Sequence, residues 1–371
     1  MEEVIAEEEL LHRIALSAVP ELGPVRIRLL AEHFGSAVAV FRARKKEISR
    51  IEGIGEASVA ALRKFTGFGK AEQEMYFIRQ QKIQALFLTD KAYPKRLLHC
   101  ADAPPLLFYK GTADLNTSRV ISIIGTRSHT EYGKQFTEQL LQELPGDDII
   151  VISGLASGID AVAHRAAIKN QIPTIGVLAH GLDTVYPWQH RHLAREMETQ
   201  GGLLTEYTSG TTPDKHHFPS RNRIVAGMAD ATIVVETAVK GGSMITAELA
   251  YSYNRDVFAV PGRLTDARSA GCLRLIADQK AVALISTRQL LETMGWITKK
   301  QVVHPQQKLF IELNPEEQKI AALLQKANSP MAIDEIYLRS GLSSSVAAAA
   351  LLNMEIQQLV QALPGKRYAW I

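Results

Sequence analysis

The sequence has little of what marks an exported, membrane or metal-dependent chain. Its 371 residues include two cysteines, Cys100 and Cys272, and no C-x-x-C pair. That excludes a disulfide framework and a thiolate zinc site, and it points to a reducing compartment. No apolar run reaches the roughly 18–20 residues that cross a bilayer. The start, MEEVIAEEELLHR, is acidic and amphipathic. An export signal needs a basic start and an apolar stretch, so a cytoplasmic location is expected. Neither GxGxxG nor GxxxxGK[ST] occurs, which removes the dinucleotide fingerprint and the P-loop. No cofactor is expected. Charge of one sign is also lacking: 42 basic residues face 39 acidic ones, for a net charge of +3. Any partner must therefore be read from where the basic residues fall.

What is present divides the chain. Residues 1–68 carry apolar positions at helical spacing, as in Leu10, Leu11, Ile14 and Ala15. Two glycine-bearing turns, Pro20-Glu21-Leu22-Gly23-Pro24 and Ile51-Glu52-Gly53-Ile54-Gly55, each open a helix. This is the pattern of a helix-hairpin-helix, SAM-like module, whose N–H groups can hold a phosphate. A helical module used only for packing reads the same way. Residues 69–104 are expected to connect it to the next domain.

Residues 105–297 alternate apolar strands with amphipathic segments. The strands are RVISIIG, DIIVISG, IPTIGVL, GGLLTEY, ATIVVET, DVFAVPG and KAVALIS. The pattern predicts an α/β, Rossmann-like, doubly wound and mainly parallel sheet that binds ligands at the carboxyl ends of its strands. Residues 298–314 are polar with two prolines and read as a linker. From 315 to 371, three helices and a hairpin give winged-helix order. The third helix, from Ser343, has four alanines and no Arg or Lys, so it suits protein contact better than a DNA groove.

The chemistry concentrates where the strands end. Gly125-Thr126-Arg127-Ser128 puts a cation and two hydroxyls at a strand exit before a helix, an arrangement suited to an anion. Ser153-Gly154-Leu155-Ala156-Ser157-Gly158 lets backbone approach a ligand closely. Asp160 and His164 lie four apart on one helical face. They read as an acid–base pair or, preferably, as a first-turn acid with an i,i+4 partner. Lys215 to Arg223, KHHFPSRNR, is the most specific cluster, with three permanent cations and one aromatic in nine residues. Phosphate-neutralising charge beside a flat ring is what an unpaired strand requires. Pro219 is expected to hold Phe218 extended, and Ser220 to cap the following helix. Arg221 and Arg223 face different ways on that helix, so at most one points at a ligand. Gly242 and Ser243 form a second anion nest. Among these loops there is no nucleophile–base pair, carboxylate pair or metal set, so an enzyme is not expected.

The ordered motifs GTR…YG at 125–133, SGLASGID…AH at 153–164, GLDTVYP at 181–187, FPSRNRI at 218–224, GGSMITAELA at 241–250 and AVPG at 259–262 resemble the DNA-processing protein A (DprA/Smf) family. The resemblance implies a single-stranded DNA-binding protein of natural transformation and recombination. Such a protein protects incoming strands, loads the RecA recombinase and pairs as a homodimer through the Rossmann-like domain. The contact positions it implies are Gly125, Arg127, Ser153, Gly154, Lys215, Phe218, Arg221, Asn222, Arg223, Gly242 and Ser243; the strand-exit reading adds Thr126. Where the family reads Gly-x-Asn, this chain has Gly271-Cys272-Leu273, so no ligand role is expected there. Two other readings compete. One is a phosphoribohydrolase-like enzyme, whose PGGxGTxxE signature KGGSMITAE matches incompletely. The other is a protein-binding adaptor.

Overall fold

A computed structural model describes residues 2–146, 148–297, 313–327, 329–357, 359–363 and 365–370. It contains two compact units, residues 1–298 and 299–371.

The first unit opens with helices α1 (Glu2–Ser17), α2 (Pro24–Phe34), α3 (Ala37–Arg42), α4 (Lys45–Ile48), α5 (Glu56–Arg63) and α6 (Phe68–Gln81). Gly23 and Gly55 are the extended residues directly before α2 and α5, as the two glycine turns suggest. Strand β1 (Gln84–Phe87), the short helix α7 (Lys95–Leu98) and strand β2 (Leu106–Gly111) follow. The stretch 69–104, expected as a connection, thus supplies a long helix and an edge strand. Arg13 bonds Asp90 at 2.9 Å and the Arg28 guanidinium donates to the Cys100 carbonyl at 3.2 Å, tying the helices to this stretch.

The parallel part comprises β3 (Arg119–Ile124), β4 (Ile149–Ser153), β5 (Thr174–Val177), β6 (Gly201–Thr205), β7 (Ala231–Val234), β8 (Asp256–Ala259) and β9 (Val282–Ala283). These are the seven strands marked by the apolar runs. The helices between them are α8 (Glu131–Glu143), α9 (Ile159–Lys169), α10 (Arg191–Gln200), α11 (His217–Met228), α12 (Gly242–Ser252) and α13 (Ala270–Ala277), with α14 (Thr287–Thr293) after β9. The sheet order is β1-β2-β6-β5-β4-β3-β7-β8-β9; β2 runs antiparallel to both its neighbours, β1 and β6, and every other pairing is parallel. From β3 the chain winds outward through β4, β5 and β6. It then returns to the other side of β3 as β7. Connections diverge there, which opens a crevice at the carboxyl ends of β3, β4 and β7.

Alternation along β3 shows how the layers form. Ile121 and Ile123 join one buried cluster with Leu140, Ala163 and Phe258. Val120 and Ile124 point to the opposite face, in a cluster with Ile224, Val225, Ala247 and the N-terminal helices. Successive strand residues face opposite sides, so a strand covered on both reads as an unbroken apolar run.

The second unit has α15 (Pro315–Ala327), β10 (Met331–Ala332), α16 (Ile333–Ser340), α17 (Ser344–Ile356), β11 (Val360–Leu363) and β12 (Arg367–Trp370). Ile320, Leu324, Ile336, Ala347, Leu351 and Met354 form its core. This is the winged-helix order expected. Of the linker expected over 298–314, only Leu313 and Asn314 lie within the described residues.

Candidate nucleic-acid interface

The loops leaving β3, β4 and β7 and the start of α11 enclose one open groove of about 740 Å³. Each loop is held by its neighbours. The Thr126 N–H donates to the Glu236 carbonyl at 2.7 Å, and the Ile159 N–H to the Thr126 carbonyl at 3.1 Å. The buried Glu236 carboxylate accepts from the Thr130 N–H at 2.9 Å and from the Thr130 hydroxyl. Glu236 therefore fixes the loop that presents Arg127, a positioning role that the motif reading did not assign. Arg127 and Lys215 are exposed, and among the described residues no carboxylate pairs with either.

Helix α11 begins earlier than the sequence suggests. It starts at His217, so Phe218 and Pro219 lie in its first turn and Phe218 is not held extended. Proline is tolerated there because a first-turn N–H has no intrahelical partner. Ser220 is inside the helix, where its hydroxyl donates to the His216 carbonyl at 3.3 Å, and it does not cap. The Phe218 ring is half-buried. The Arg127 guanidinium carbon stands 5.5 Å from its centroid, within cation–π range.

Gly125, Thr126, Arg127, Gly154, Lys215, Phe218, Arg221, Asn222, Gly242 and Ser243 all line the groove. Ser153 and Arg223 do not. The buried Ser153 hydroxyl donates to the Ile123 carbonyl at 2.6 Å, within the sheet. Arg223 projects the other way along α11, where it bonds the Glu206 carboxylate and the Asp102 carbonyl. Arg221 reaches the groove wall but is buried. Its Nη1 donates to the Gly154 carbonyl at 2.6 Å and to the Val177 carbonyl, and its Nε to Asn222 Oδ1 at 3.2 Å. Burial lowers its pKa to about 10, so it remains charged at neutral pH. Of the two helical arginines, one thus bridges loop ends beneath the groove and the other braces the far side. At Gly154 a Cβ would come within 2.6 Å of that guanidinium, so only glycine leaves room for it.

Asp160 and His164 do not pair. The buried Asp160 carboxylate accepts from the N–H groups of Gly154 and Ala156 at 3.2 and 3.4 Å, and burial pushes its pKa up against the nearby Arg221 charge. His164 donates through Nδ1 to Thr174 Oγ1 at 2.7 Å, and that hydroxyl in turn donates to the Val151 carbonyl. Burial holds His164 down to about 3, so its ring is neutral. Ser243 donates to Thr237 Oγ1 at 2.7 Å at the head of α12. Glu248, the acid that a phosphoribohydrolase signature would require, is bound to Lys280 at 2.8 Å and is absent from the groove. Among the described residues no three His, Cys, Asp or Glu side chains could share a metal. None of their helices is long and apolar enough to cross a membrane. Gly271 donates its N–H to the Thr237 carbonyl at 2.8 Å and Cys272 is buried, so the segment with Leu273 packs behind the loop after β7. The structure also brings Tyr186, half-exposed, to the groove beside Phe218. The GLDTVYP motif contains it, but nothing in the sequence pattern signals its position.

Residues 84–295 match the family model for DNA recombination-mediator protein A, and residues 305–366 match the DprA winged helix domain. Protein Smf from Synechocystis is 33% identical over 98% of this chain and 99% of its own length. The structure of DNA processing protein A from Streptococcus pneumoniae aligns with a TM-score of 0.65 at 33% identity, over 75% of this chain and 95% of that one. A structure of DNA processing protein A from Helicobacter pylori, described for its single-stranded DNA binding mode, aligns with a TM-score of 0.53 at 31% identity, over 58% and 98%. The groove-lining loops fall inside the matched span, and the chain belongs to the DNA recombination-mediator protein A, or DprA/Smf, family.

Proposed function

We propose that this chain binds single-stranded DNA in the groove above β3, β4 and β7 and breaks no bond in doing so. One observation carries the reading: two exposed cations that no carboxylate pairs with among the described residues, Arg127 and Lys215, line one groove with the half-buried Phe218 ring. Cations take phosphates and the ring takes a base of any identity, because every base has a π face. Gly125, Thr126, Gly154, Asn222, Gly242 and Ser243 line the strand's path, and Arg221 shapes it from below. The wider role is DNA processing in transformation and recombination, which the family and the single-stranded DNA bound by its Helicobacter pylori member support. Loading of RecA, protection of incoming strands, a cytoplasmic location and self-association through the Rossmann-like unit complete the proposal. They rest on family membership, together with two buried free thiols that suit a reducing compartment. The second unit is assigned to protein contact, because α17 presents no Arg or Lys.

The test is titration of oligothymidylate and blunt duplex at several salt concentrations. With two phosphates neutralised, log affinity for the single strand falls against log salt with a slope of about −1.4. That is shallower than a slope for four free cations, because Arg221 and Arg223 are engaged within the protein. Equal affinity for duplex, or no salt dependence, overturns the reading. Sedimentation of the full chain tests self-association, and RecA nucleation on coated single strands tests loading.

A further inference from the structure

Tyr186 is the groove residue to which the motifs give no task. Half its surface is exposed, yet its backbone is fixed. The Tyr186 N–H donates to Nε2 of His180 at 3.3 Å, while His180 Nδ1–H donates to the Gly181 carbonyl at 2.8 Å. His180 is buried, and burial holds its pKa below the ordinary value, so the neutral ring keeps Nε2 free to accept. The Tyr186 ring centroid lies 6.1 Å from that of Phe218, with the two planes inclined by 50°. A side recess of about 50 Å³ opens between the two rings and the turn after β4.

A tyrosine on a fixed backbone offers a broad apolar face at low entropic cost, since only two side-chain torsions remain to order. Two neighbouring bases, one on each ring, would be rolled apart by the inclination between the rings. Paired bases in a duplex are stacked and cannot splay in this way, whereas an unpaired strand can. We propose that Tyr186 is a second base-stacking residue of this groove, so that Phe218 and Tyr186 take two successive unpaired bases while Arg127, above the Phe218 ring, meets their phosphates. This rests on the single-strand reading of the groove. It adds to that reading a second sequence-tolerant base contact and a reason for rejecting duplex that charge alone does not supply.

The test measures anisotropy of labelled oligothymidylate with the full-length chain, and of an oligomer of equal length whose central residues lack bases. Tyr186→Ala and Tyr186→Leu should each weaken binding to oligothymidylate roughly 5- to 100-fold, and Tyr186→Phe by less than about twofold, because only the ring face matters. Neither loss should change the salt slope, since no cation is removed. Binding of the baseless oligomer should be nearly the same in Tyr186→Leu as in the parent protein. Tyr186→Leu fills the loop but has no π face, so a purely packing role predicts parent-like affinity for it. That result, with Phe218→Ala still weakened, overturns the role of Tyr186 and leaves the groove reading intact. A parent protein that ignores oligothymidylate, or prefers duplex, overturns the groove reading, and the proposal falls with it.

Discussion

The guanidinium of Arg127 lies 5.5 Å from the centre of the Phe218 ring, although one residue comes from the loop leaving β3 and the other from the first turn of α11. Charge and aromatic surface are thus presented together by elements that the sheet holds in place. Arg127→Ala removes the proposed phosphate contact and the cation over the ring, while the loop keeps its bonds to Glu236. Single-strand affinity should fall and the melting temperature should stay within a degree or two. Arg127→Lys should restore only part of the affinity, because an ammonium lacks the planar fork. A large drop in melting temperature would identify the arginine as a brace.

Phe218 is half-buried, which leaves both a stacking and a packing role to be weighed. Phe218→Ala should weaken single-strand binding by roughly 5- to 100-fold with an unchanged salt slope, whereas Lys215→Ala should flatten that slope. If the ring served only the core, its loss would cost roughly 3–5 kcal/mol of stability, and binding would suffer through misfolding. Denaturant melts beside salt-titrated binding curves separate the two.

Arg223 belongs to the basic motif but serves the interior. Its partner Glu206 is largely buried, and burial pushes that carboxyl pKa up while the arginine charge opposes the rise. Arg223→Ala should destabilise the protein by roughly 3–5 kcal/mol, because it leaves a buried acid unpaired. Any loss of DNA binding should disappear when affinity is corrected for the folded fraction. A stable Arg223→Ala variant with poor binding would restore the residue to the interface.

His164 makes stability depend on pH. In the unfolded chain its ring titrates near 6.5, and in the folded protein near 3, where its Nε2 has no hydrogen-bond partner among the described residues. Between those values the unfolded chain holds a proton that the folded one does not. Its contribution is therefore complete above pH 6.5 and declines as pH falls toward 3. His164→Asn keeps an N–H for Thr174 and cannot titrate. Urea midpoints across this range should fall less steeply for the variant than for the parent. Parallel curves would show that the ring does not carry the effect.

The parallel sheet was legible because its seven strands lie in compact apolar runs that end in small or charged residues, six of them largely buried and the edge strand β9 more open. Strands β1 and β2 were not: only the end of Gln84 to Phe87 is buried, and Leu106–Gly111 precedes the regular alternation of strands and helices by which the others were read. The groove was legible as a set of loops, because strand exits in a doubly wound sheet converge. The fate of each cation was not. An arginine reads the same whether it meets a phosphate or a carbonyl, and Arg221 is committed by Gly154, 67 residues away. Asp160 and His164 show the same limit. Their spacing puts them on one helical face, but each finds a partner from another segment, the turn after β4 and Thr174 of β5.

The contact between Gly154 and Arg221 makes the two positions one heritable unit. A side chain gained at 154 collides with the guanidinium, and a smaller residue at 221 leaves the carbonyls of Gly154 and Val177 without their donor. Either change alone is expected to cost stability, through a clash in one case and two unpaired carbonyls in the other, so the two positions are expected to change together. Loss of binding after substitution at either position would therefore record a broken scaffold, and a tally of DNA contacts by single replacements would count this motif larger than it is.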